Sequence, residues 1–305
     1  MNETNQSTAS PPRQTVSRYK VQTVPAILTR GLIFTNLAIY IITVGIGIAY
    51  LSSGGSSLGQ FGLVEDSLFN RIAAYAQGVM AIIVGSYYPP NATPDLLTWG
   101  MKVNYLILNG ETWRLLTATF LHLGPLHILF NMVILNFLGP MVEGYFGHVR
   151  FAFIYVMAGL FGSLASYAFS YNPSAGASGA IFGVAGAVTV FFIRYRNNFG
   201  NWGQTILQSV IGLIIFNVVL GPTQQGIDNW GHFGGLVGGI AASWILLPRY
   251  ALSAPATQGE VASPSSQSQL IQPENRITQE LLGATLLLIL FWVGLQFANS
   301  ITPIF

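Results

Sequence analysis

The chain has no cysteine among its 305 residues. This absence excludes disulfide bonds, thiol catalysis and zinc sites built from cysteine. Charged residues are also scarce and make up 7% of the sequence, whereas about 25% is usual in soluble domains. The net charge is +2, and the sequence has no cluster of Lys and Arg of the kind that binds nucleic acid. We therefore expect neither a soluble protein nor a nucleic-acid partner.

Long apolar runs occupy much of the remaining sequence. Apolar residues make up 51% of it, and a helix needs about 20 such residues to span a bilayer. Seven runs approach this length, near residues 31–52, 115–140, 150–171, 177–195, 204–221, 230–248 and 281–301. The predicted fold class is an all-α polytopic membrane protein, in which a bundle of six spanning helices is followed by a seventh transmembrane helix.

Polar segments divide the chain into regions. Residues 1–25 are rich in Ser, Thr, Gln and Pro, a composition typical of a disordered segment. Residues 26–250 hold the six-helix domain. Residues 251–278 are again rich in Ser, Gln and Pro, which predicts a flexible linker, and residues 279–305 hold the seventh helix.

The distribution of positive charge predicts the orientation of the chain, because cytoplasmic loops carry the excess of Lys and Arg. Seven spans and a cytoplasmic N-terminus place nine of these residues inside and three outside. Those inside are Arg13, Arg18, Lys20, Arg30, Arg150, Arg194, Arg196, Arg249 and Arg276, and those outside are Arg71, Lys102 and Arg114. An additional span at the shorter apolar segment 72–88 would give six against six. We therefore predict a long extracytoplasmic loop over residues 54–114, with room for an interfacial helix.

The N-terminus bears on the identity of the membrane. It is too short and too weakly basic for a plastid transit peptide. The expected location is therefore a bacterial plasma membrane, in which the chain is an integral multi-pass protein.

A serine stands among small residues at the start of the fourth span. Polar residues inside spans are costly, so they are candidates for function. In residues 176–179 (Gly-Ala-Ser-Gly), the small neighbours leave the hydroxyl of Ser178 exposed and let another backbone approach. Gly179, Gly183 and Gly186 give the same helix a flat packing face. A serine of this kind also commonly serves helix packing alone, so the motif by itself leaves both interpretations open.

A histidine stands in a similar setting at the start of the sixth span. Residues 231–235 read Gly-His-Phe-Gly-Gly, and Gly231, Gly235 and Gly239 recur every four residues as a second flat face. Taken alone, His232 is equally compatible with an interfacial histidine that is hydrogen bonded to a loop.

The two motifs together point to chemistry. In the predicted orientation both begin spans that run from outside to inside, so they lie at similar depth, and their glycine faces permit close packing. The hydroxyl of Ser178 can then reach a ring nitrogen of His232 at about 2.6–3.2 Å, the distance at which a base activates a serine. Asp228 is expected in the loop above His232, so the prediction is a dyad without a third acidic member.

A third polar set begins the second span, where His122 precedes His127 and Asn131. His127 and Asn131 are spaced i, i+4 and share one helix face. Both can donate hydrogen bonds, and peptide hydrolysis passes through an oxyanion that needs aimed donors. Together with the backbone N–H of Ser178 they would form an oxyanion hole. Hydrogen bonding between helices is the alternative role of Asn131.

Histidines also bind metal ions, but the chain has few of them. The four are His122, His127, His148 and His232. His148 is expected on the cytoplasmic side, so three at most can meet. No His-Glu-x-x-His motif is present. We therefore expect no metal and no cofactor.

These motifs, taken in order, resemble the rhomboid intramembrane proteases. The shared residues are Trp113–Arg114, His127 and Asn131, residues 176–179 and residues 231–235. The resemblance covers roughly residues 95–248. One departure is Gly231, because most relatives have alanine before the histidine. The resemblance implies the six-helix rhomboid bundle, and the seventh span fits the six-plus-one arrangement of the family.

The resemblance also implies roles for individual residues. Ser178 would be the nucleophile and His232 the general base, while His127, Asn131 and the Ser178 amide would hold the oxyanion. Phe182 would stack on the catalytic histidine. The residues implied to be structural are Trp113, Arg114, Glu143, Gly176, Gly179, Gly231 and Gly235.

The function that follows is an intramembrane serine endopeptidase that cleaves transmembrane segments of single-pass proteins in the lipid bilayer. A second interpretation is a rhomboid-like pseudoprotease that binds or chaperones membrane helices; such proteins usually lack the serine or the histidine. A third is a transporter, whose sites use broken helices at the midplane of repeated halves. No inverted repeat is evident here, and the polar residues cluster at one side.

Overall fold

The structure is a computed structural model that describes residues 20–21, 23–52, 100–221, 227–252, 269–271 and 276–302. The helices are α1 (Ile27–Ser52), α2 (Asn104–Leu108), α3 (Arg114–Thr117), α4 (Pro125–Phe146), α5 (His148–Phe169), α6 (Ser178–Leu220), α7 (Asn229–Ile245) and α8 (Ile277–Ile301). A 3₁₀ turn, Ala118–Phe120, follows α3. A small sheet consists of β1 (Lys20–Val21), β2 (Ala251–Leu252) and β3 (Gln269–Ile271), in which β3 pairs parallel to β1 and antiparallel to β2.

The described helices confirm the predicted all-α polytopic fold. Six segments are long and apolar enough to cross a membrane: α1, α4, α5, the two halves of α6 (Ser178–Arg196 and Asn198–Val219) and α8. The sixth predicted span corresponds to α7, which has 17 residues. A helix of that length measures about 25 Å, near the lower limit for spanning a bilayer.

The structure corrects the predicted start of the second span. The apolar run from residue 115 does not form one helix, because residues 114–120 form α3 and the 3₁₀ turn. Gly124 is extended, and Pro125 then occupies the first turn of α4, where its missing N–H costs nothing. The predicted long loop thus contains α2, and its Lys102 forms a β-bridge with Ser174, which precedes α6. The ambiguous segment 72–88 lies outside the described residues.

Two other predicted boundaries also differ. The fourth and fifth predicted spans are joined in α6, which bends where Tyr195 and Gly200 leave helical geometry. Gly200 has a φ of 55°, a conformation that glycine adopts without strain. The predicted flexible linker, residues 251–278, contains β2 and β3, which satisfy part of its backbone hydrogen bonding. The seventh helix begins at Ile277 rather than 279.

Helix α7 packs between α5 and α6 through two glycine faces. A methyl group built at Gly235 or Gly239 would overlap the backbone of Gly179 or Gly183 on α6. Gly234 and Gly238 likewise face Phe161 on α5. Because glycine has no side chain, the backbones of these helices can lie in direct contact. Close approach of α6 and α7 brings their first turns together.

Glu143 joins three helices at the far end of α4 from His127. Its carboxylate is fully buried and accepts hydrogen bonds from the backbone N–H groups of Leu28 and Thr29, both at 2.8 Å, and from the Thr29 hydroxyl at 2.6 Å. His148, the first residue of α5, lies 2.6 Å from the same carboxylate. A carboxylate is stabilised at a helix N-terminus because the first N–H groups have no partner within the helix.

Helix α8 is attached to α5 near both ends. Arg150 and Glu280 form an ion pair at 2.7 Å, and the Tyr167 hydroxyl donates to the side-chain oxygen of Asn299 at 2.8 Å. Phe161 and Phe291 make an edge contact between these points. The seventh helix is therefore packed on the six-helix bundle.

We predict that Gly239→Ala lowers the stability of the folded protein, because the new methyl group would force apart the backbones of α6 and α7. Overpacking of this kind costs about 1–3 kcal/mol. The matched control is Gly212→Ala, since a methyl group there has no neighbour within 4 Å and alanine favours helix. Thermal unfolding in detergent should give a lower midpoint for Gly239→Ala alone. Equal midpoints for the two variants would contradict the close packing.

Candidate active site

Ser178 is the first residue of α6, and its position depends on Gly176. Gly176 has a φ of 145°, which side-chain-bearing residues rarely adopt. A methyl group there would also lie 2.7 Å from Cε1 of His127 and 3.7 Å from the hydroxyl of Ser178. The glycine is thus required both for the turn into α6 and for the contact with the His127 ring.

His232 lies in the first turn of α7 and faces the serine. Its Nε2 is 2.9 Å from Oγ of Ser178, within hydrogen-bond distance. The Phe182 ring, one turn after Ser178, stacks on the His232 ring with centroids 4.4 Å apart and planes 12° apart. Phe182 therefore fixes the plane of the imidazole, while the hydrogen bond to Ser178 fixes its direction.

Asp228 is used for capping α7. Its side chain accepts a hydrogen bond from the backbone N–H of Gly231 at 2.9 Å, the usual role of an aspartate at a helix N-terminus. Within the described part of the chain, no carboxylate is hydrogen bonded to the ring of His232. The geometry therefore brings together a serine and a histidine without an acidic third member.

His127 and Asn131 lie on the first turns of α4 and line the same cavity as Ser178 and His232. The side chain of Asn131 donates to the backbone carbonyl of His127 at 2.9 Å, which leaves its second N–H available. The His127 ring lies against Gly176. Both predicted oxyanion donors thus line the cavity that contains the serine.

The sequence placed His122 in the same polar set as His127 and Asn131 but indicated no role for it. This residue is buried, its Nε2 is 3.5 Å from the backbone nitrogen of Ala177, and its ring makes an edge contact with His127 at 5.2 Å. Burial is the main cause that lowers the pKa of His122 to about 3, and the charge of His127 adds to it. The ring of His122 is therefore neutral, and its Nε2 can accept a hydrogen bond from the backbone N–H of Ala177. Its only signal in the sequence is its place five residues before His127.

A cavity of about 650 Å³ opens beside the serine and the histidine. The residues 170 and 172–175, just before α6, form part of its wall, and Phe130 and Phe216 add apolar surface from α4 and from the second half of α6. A mainly apolar cavity with a few converging polar groups is typical of a ligand site. The second half of α6 is mostly unburied in the protein, so this wall has few contacts with the bundle.

The predicted motif residues with large side chains, Trp113, Arg114 and Glu143, lie outside the cavity. Trp113 is 48% exposed, while Arg114 is buried, with its guanidinium 4.8 Å from the Trp113 ring centroid. Arg114 also forms an ion pair with Glu111 at 2.8 Å and donates to the carbonyl of Met101 at 3.1 Å. Arg114 thus braces the loop before α4, and Glu143 holds the opposite end of that helix.

Comparison with known proteins gives consistent matches. A family model described as the Rhomboid domain matches residues 109–249. The rhomboid protease GluP of Bacillus subtilis is 42% identical over 204 residues, which are 62% of this chain and 40% of GluP. YdcA of the same organism is 34% identical over 148 residues, 48% of this chain and 73% of YdcA. RHOMBOID-like protein 7 of Arabidopsis thaliana is 37% identical over 153 residues, 50% of this chain and 47% of the plant protein. The match to GluP and to the plant protein thus covers half of their length or less.

We predict that Phe182→Leu slows the reaction of the protein with a fluorophosphonate, because the His232 ring loses its stacking partner and its fixed plane. A fluorophosphonate reacts with an activated serine hydroxyl, so a displaced His232 ring should lower the rate at which Ser178 is labelled by about tenfold. Phe182→Tyr is the matched control, since it preserves the aromatic stack. Labelling rates can be followed by gel fluorescence. Equal rates for Phe182→Leu and the wild type would show that the stack does not position His232.

Proposed function

The chain belongs to the rhomboid family, and on that premise we propose that it is an intramembrane serine endopeptidase with Ser178 as nucleophile and His232 as general base. The observation that carries the proposal is the 2.9 Å distance between Nε2 of His232 and Oγ of Ser178. A serine hydroxyl is a weak nucleophile until an adjacent base takes its proton. The proposed enzyme needs no cofactor or metal ion for this step.

In the proposed acylation step, His232 takes the proton of Ser178 as Oγ attacks the peptide carbonyl carbon. The carbonyl oxygen becomes an oxyanion, for which the Ser178 N–H, His127 and Asn131 are the available donors. The tetrahedral intermediate collapses when its C–N bond breaks, and His232 gives its proton to the departing amine. An acyl group then remains on Ser178. Removal of one oxyanion donor typically costs about 10²–10³ in rate.

In deacylation, water attacks the acyl carbon while His232 takes the proton of the water. The second tetrahedral intermediate expels Oγ of Ser178, which recovers its proton from His232, and the new carboxyl terminus leaves. In a catalytic triad an acidic residue orients the histidine ring, but here Asp228 caps α7 instead. We propose that Phe182 and the hydrogen bond to Ser178 orient the ring of His232.

The proposed substrates are single-pass transmembrane proteins, cut near a membrane boundary within the lipid bilayer. Hydrolysis needs water, which the bilayer core lacks, so the site must lie in a polar cavity near one surface. The position of Ser178 and His232 in the first turns of α6 and α7 supports this. With the N-terminus in the cytoplasm of a bacterial cell, as the charge distribution favours, this surface is the outer one.

The second half of α6 is the proposed lateral gate for the substrate. It lines the cavity through Leu213 and Phe216, its span is largely unburied, and Gly200 separates it from the first half. A substrate helix that enters here must unwind before its peptide bonds reach Ser178, because its backbone groups are paired within the helix.

Cleavage of a tagged single-span reporter in liposomes tests the proposed activity. The wild type should release two fragments, and Ser178→Ala should release none, because the attacking oxygen is missing. Ser300→Ala is the matched control: this serine is exposed on α8, far along the chain from the cavity, and its removal should leave cleavage unchanged. Equal cleavage by the wild type and Ser178→Ala would refute Ser178 as nucleophile. Absence of cleavage in both, together with retained binding of the reporter helix, would favour the pseudoprotease alternative.

The need for unwinding gives a second prediction. Reporters with glycine near the cleavage site should be cut faster than reporters with leucine at the same positions. Each glycine in a helix interior destabilises the helix by about 1 kcal/mol relative to alanine, and leucine is close to alanine in helix propensity. The comparison requires equal incorporation of both reporters in the same liposomes. Equal cleavage rates for the glycine reporters and the all-leucine reporters would exclude unwinding as a limiting requirement.

A further inference from the structure

A buried lysine with no role in the proposed chemistry lies close to the active site. Lys102 precedes α2 and has no exposed surface. Its ammonium group donates to the side-chain oxygen of Asn104 at 2.9 Å and to the backbone carbonyls of Ser166, Ser170 and Asn172 at 3.3, 2.9 and 2.8 Å. Lysine is almost never fully buried unless it is paired, and these four oxygen atoms are the partners that make the burial of Lys102 possible.

The acceptors belong mostly to the C-terminal end of α5 and the residues after it. The last carbonyl groups of a helix have no partner within the helix and carry partial negative charge, which a cation neutralises. Among the residues that the structure describes, Lys102 forms no ion pair with a carboxylate. Burial lowers the pKa of Lys102 to about 8, an effect that the charge of Asp228 opposes, so the ammonium form still prevails at neutral pH.

The backbone of Lys102 holds the same segment at a second point. Its N–H donates to the carbonyl of Ser174 at 2.9 Å, and the N–H of Ser174 donates back to its carbonyl at 3.1 Å. Beyond this pair, the N–H of Gly176 donates to the carbonyl of Ala118 at 2.9 Å. Lys102 is therefore bound to the chain at residues 170, 172 and 174, immediately before the turn that leads into Ser178.

We propose that Lys102 is a positioning residue for the active site, which holds residues 170–176 where the nucleophile and the cavity wall require them. This inference rests on the proposed protease function. Residues 172–175 line the cavity on the side of Ser178, and the turn at Gly176 sets the direction of the Ser178 N–H. Loss of the ammonium group removes the donor to the carbonyl of Asn172, while the carbonyl of Ser166 retains the N–H of Ser170 and that of Ser170 retains the side-chain N–H of Asn104. The segment therefore loses part of its attachment and moves, and the N–H of Ser178 moves with it.

Lys102→Met tests the proposal, because methionine is similar in volume and has no charge and no donor. The rate constant kcat for the single-span reporter should fall roughly 100-fold, the loss that a misplacement of about 1 Å can cause, with little change in KM. Tyr105→Ala is the control variant: Tyr105 lies on the same segment, is 60% exposed, and its removal should leave kcat unchanged. Thermal unfolding verifies that each variant is folded.

Hydrogen exchange supplies a readout that does not depend on proteolysis. The amides of Ser174 and Gly176 should exchange faster in Lys102→Met than in the wild type, and at the wild-type rate in Tyr105→Ala. If Lys102→Met does not fold, Lys102→Gln replaces it in both measurements, because glutamine retains N–H donors but not the charge. The effects expected for Lys102→Gln have the same direction and a smaller size.

The outcomes separate this inference from the proposed function. A lower kcat together with faster exchange at residues 174 and 176 supports the role of Lys102. A folded variant with the wild-type kcat, or with unchanged exchange at these amides, overturns it. A wild-type protein that cleaves no better than Ser178→Ala would refute the protease function, and the exchange rates would then still decide whether Lys102 holds the segment.

Discussion

The close packing of α7 against the glycines of α6 determines where Ser178 and His232 lie. Gly235 and Gly239 meet the backbone of Gly179 and Gly183, and no other residue fits between these helices. Because Ser178 and His232 occupy the first turns of the same two helices, their hydrogen bond at 2.9 Å depends directly on this approach. A hydrophobic core of ordinary side chains would hold the helices together but would keep the two reacting groups apart.

Some parts of the bundle are held by buried hydrogen bonds and others have little buried surface. This distribution agrees with the proposed function. Glu143 joins α1, α4 and α5 at one end of α4, while Lys102 and Arg114 fix the segments around the first turn of α6 at the other. The second half of α6 has little buried surface. In the proposed mechanism, rigid support around Ser178 preserves the geometry that catalysis needs, whereas the loosely packed wall is the proposed entry for a substrate helix.

Helix periodicity and motif spacing predicted much of this arrangement from the sequence. The four-residue spacing of Gly231, Gly235 and Gly239 predicted a flat face, and that face lies against α6. Hydropathy could not separate α3 from α4, because both are apolar and only the extended Gly124 before Pro125 marks the boundary. The carbonyl groups that accept from the Lys102 side chain lie more than 60 residues away in the chain, so no local pattern indicated them. His122 and Ala177 are 55 residues apart, so their contact was likewise not indicated by any local pattern.

In the proposed mechanism Ser178 attacks the substrate while His127, Asn131 and its own amide stabilise the oxyanion. A crystal structure of the protein after reaction with a fluorophosphonate would test these roles together, because the adduct imitates the tetrahedral intermediate. We expect phosphorus bonded to Oγ of Ser178, with the phosphonyl oxygen within hydrogen-bond distance of the Ser178 N–H and of both side chains. An adduct on another residue, or a phosphonyl oxygen directed away from His127 and Asn131, would contradict it.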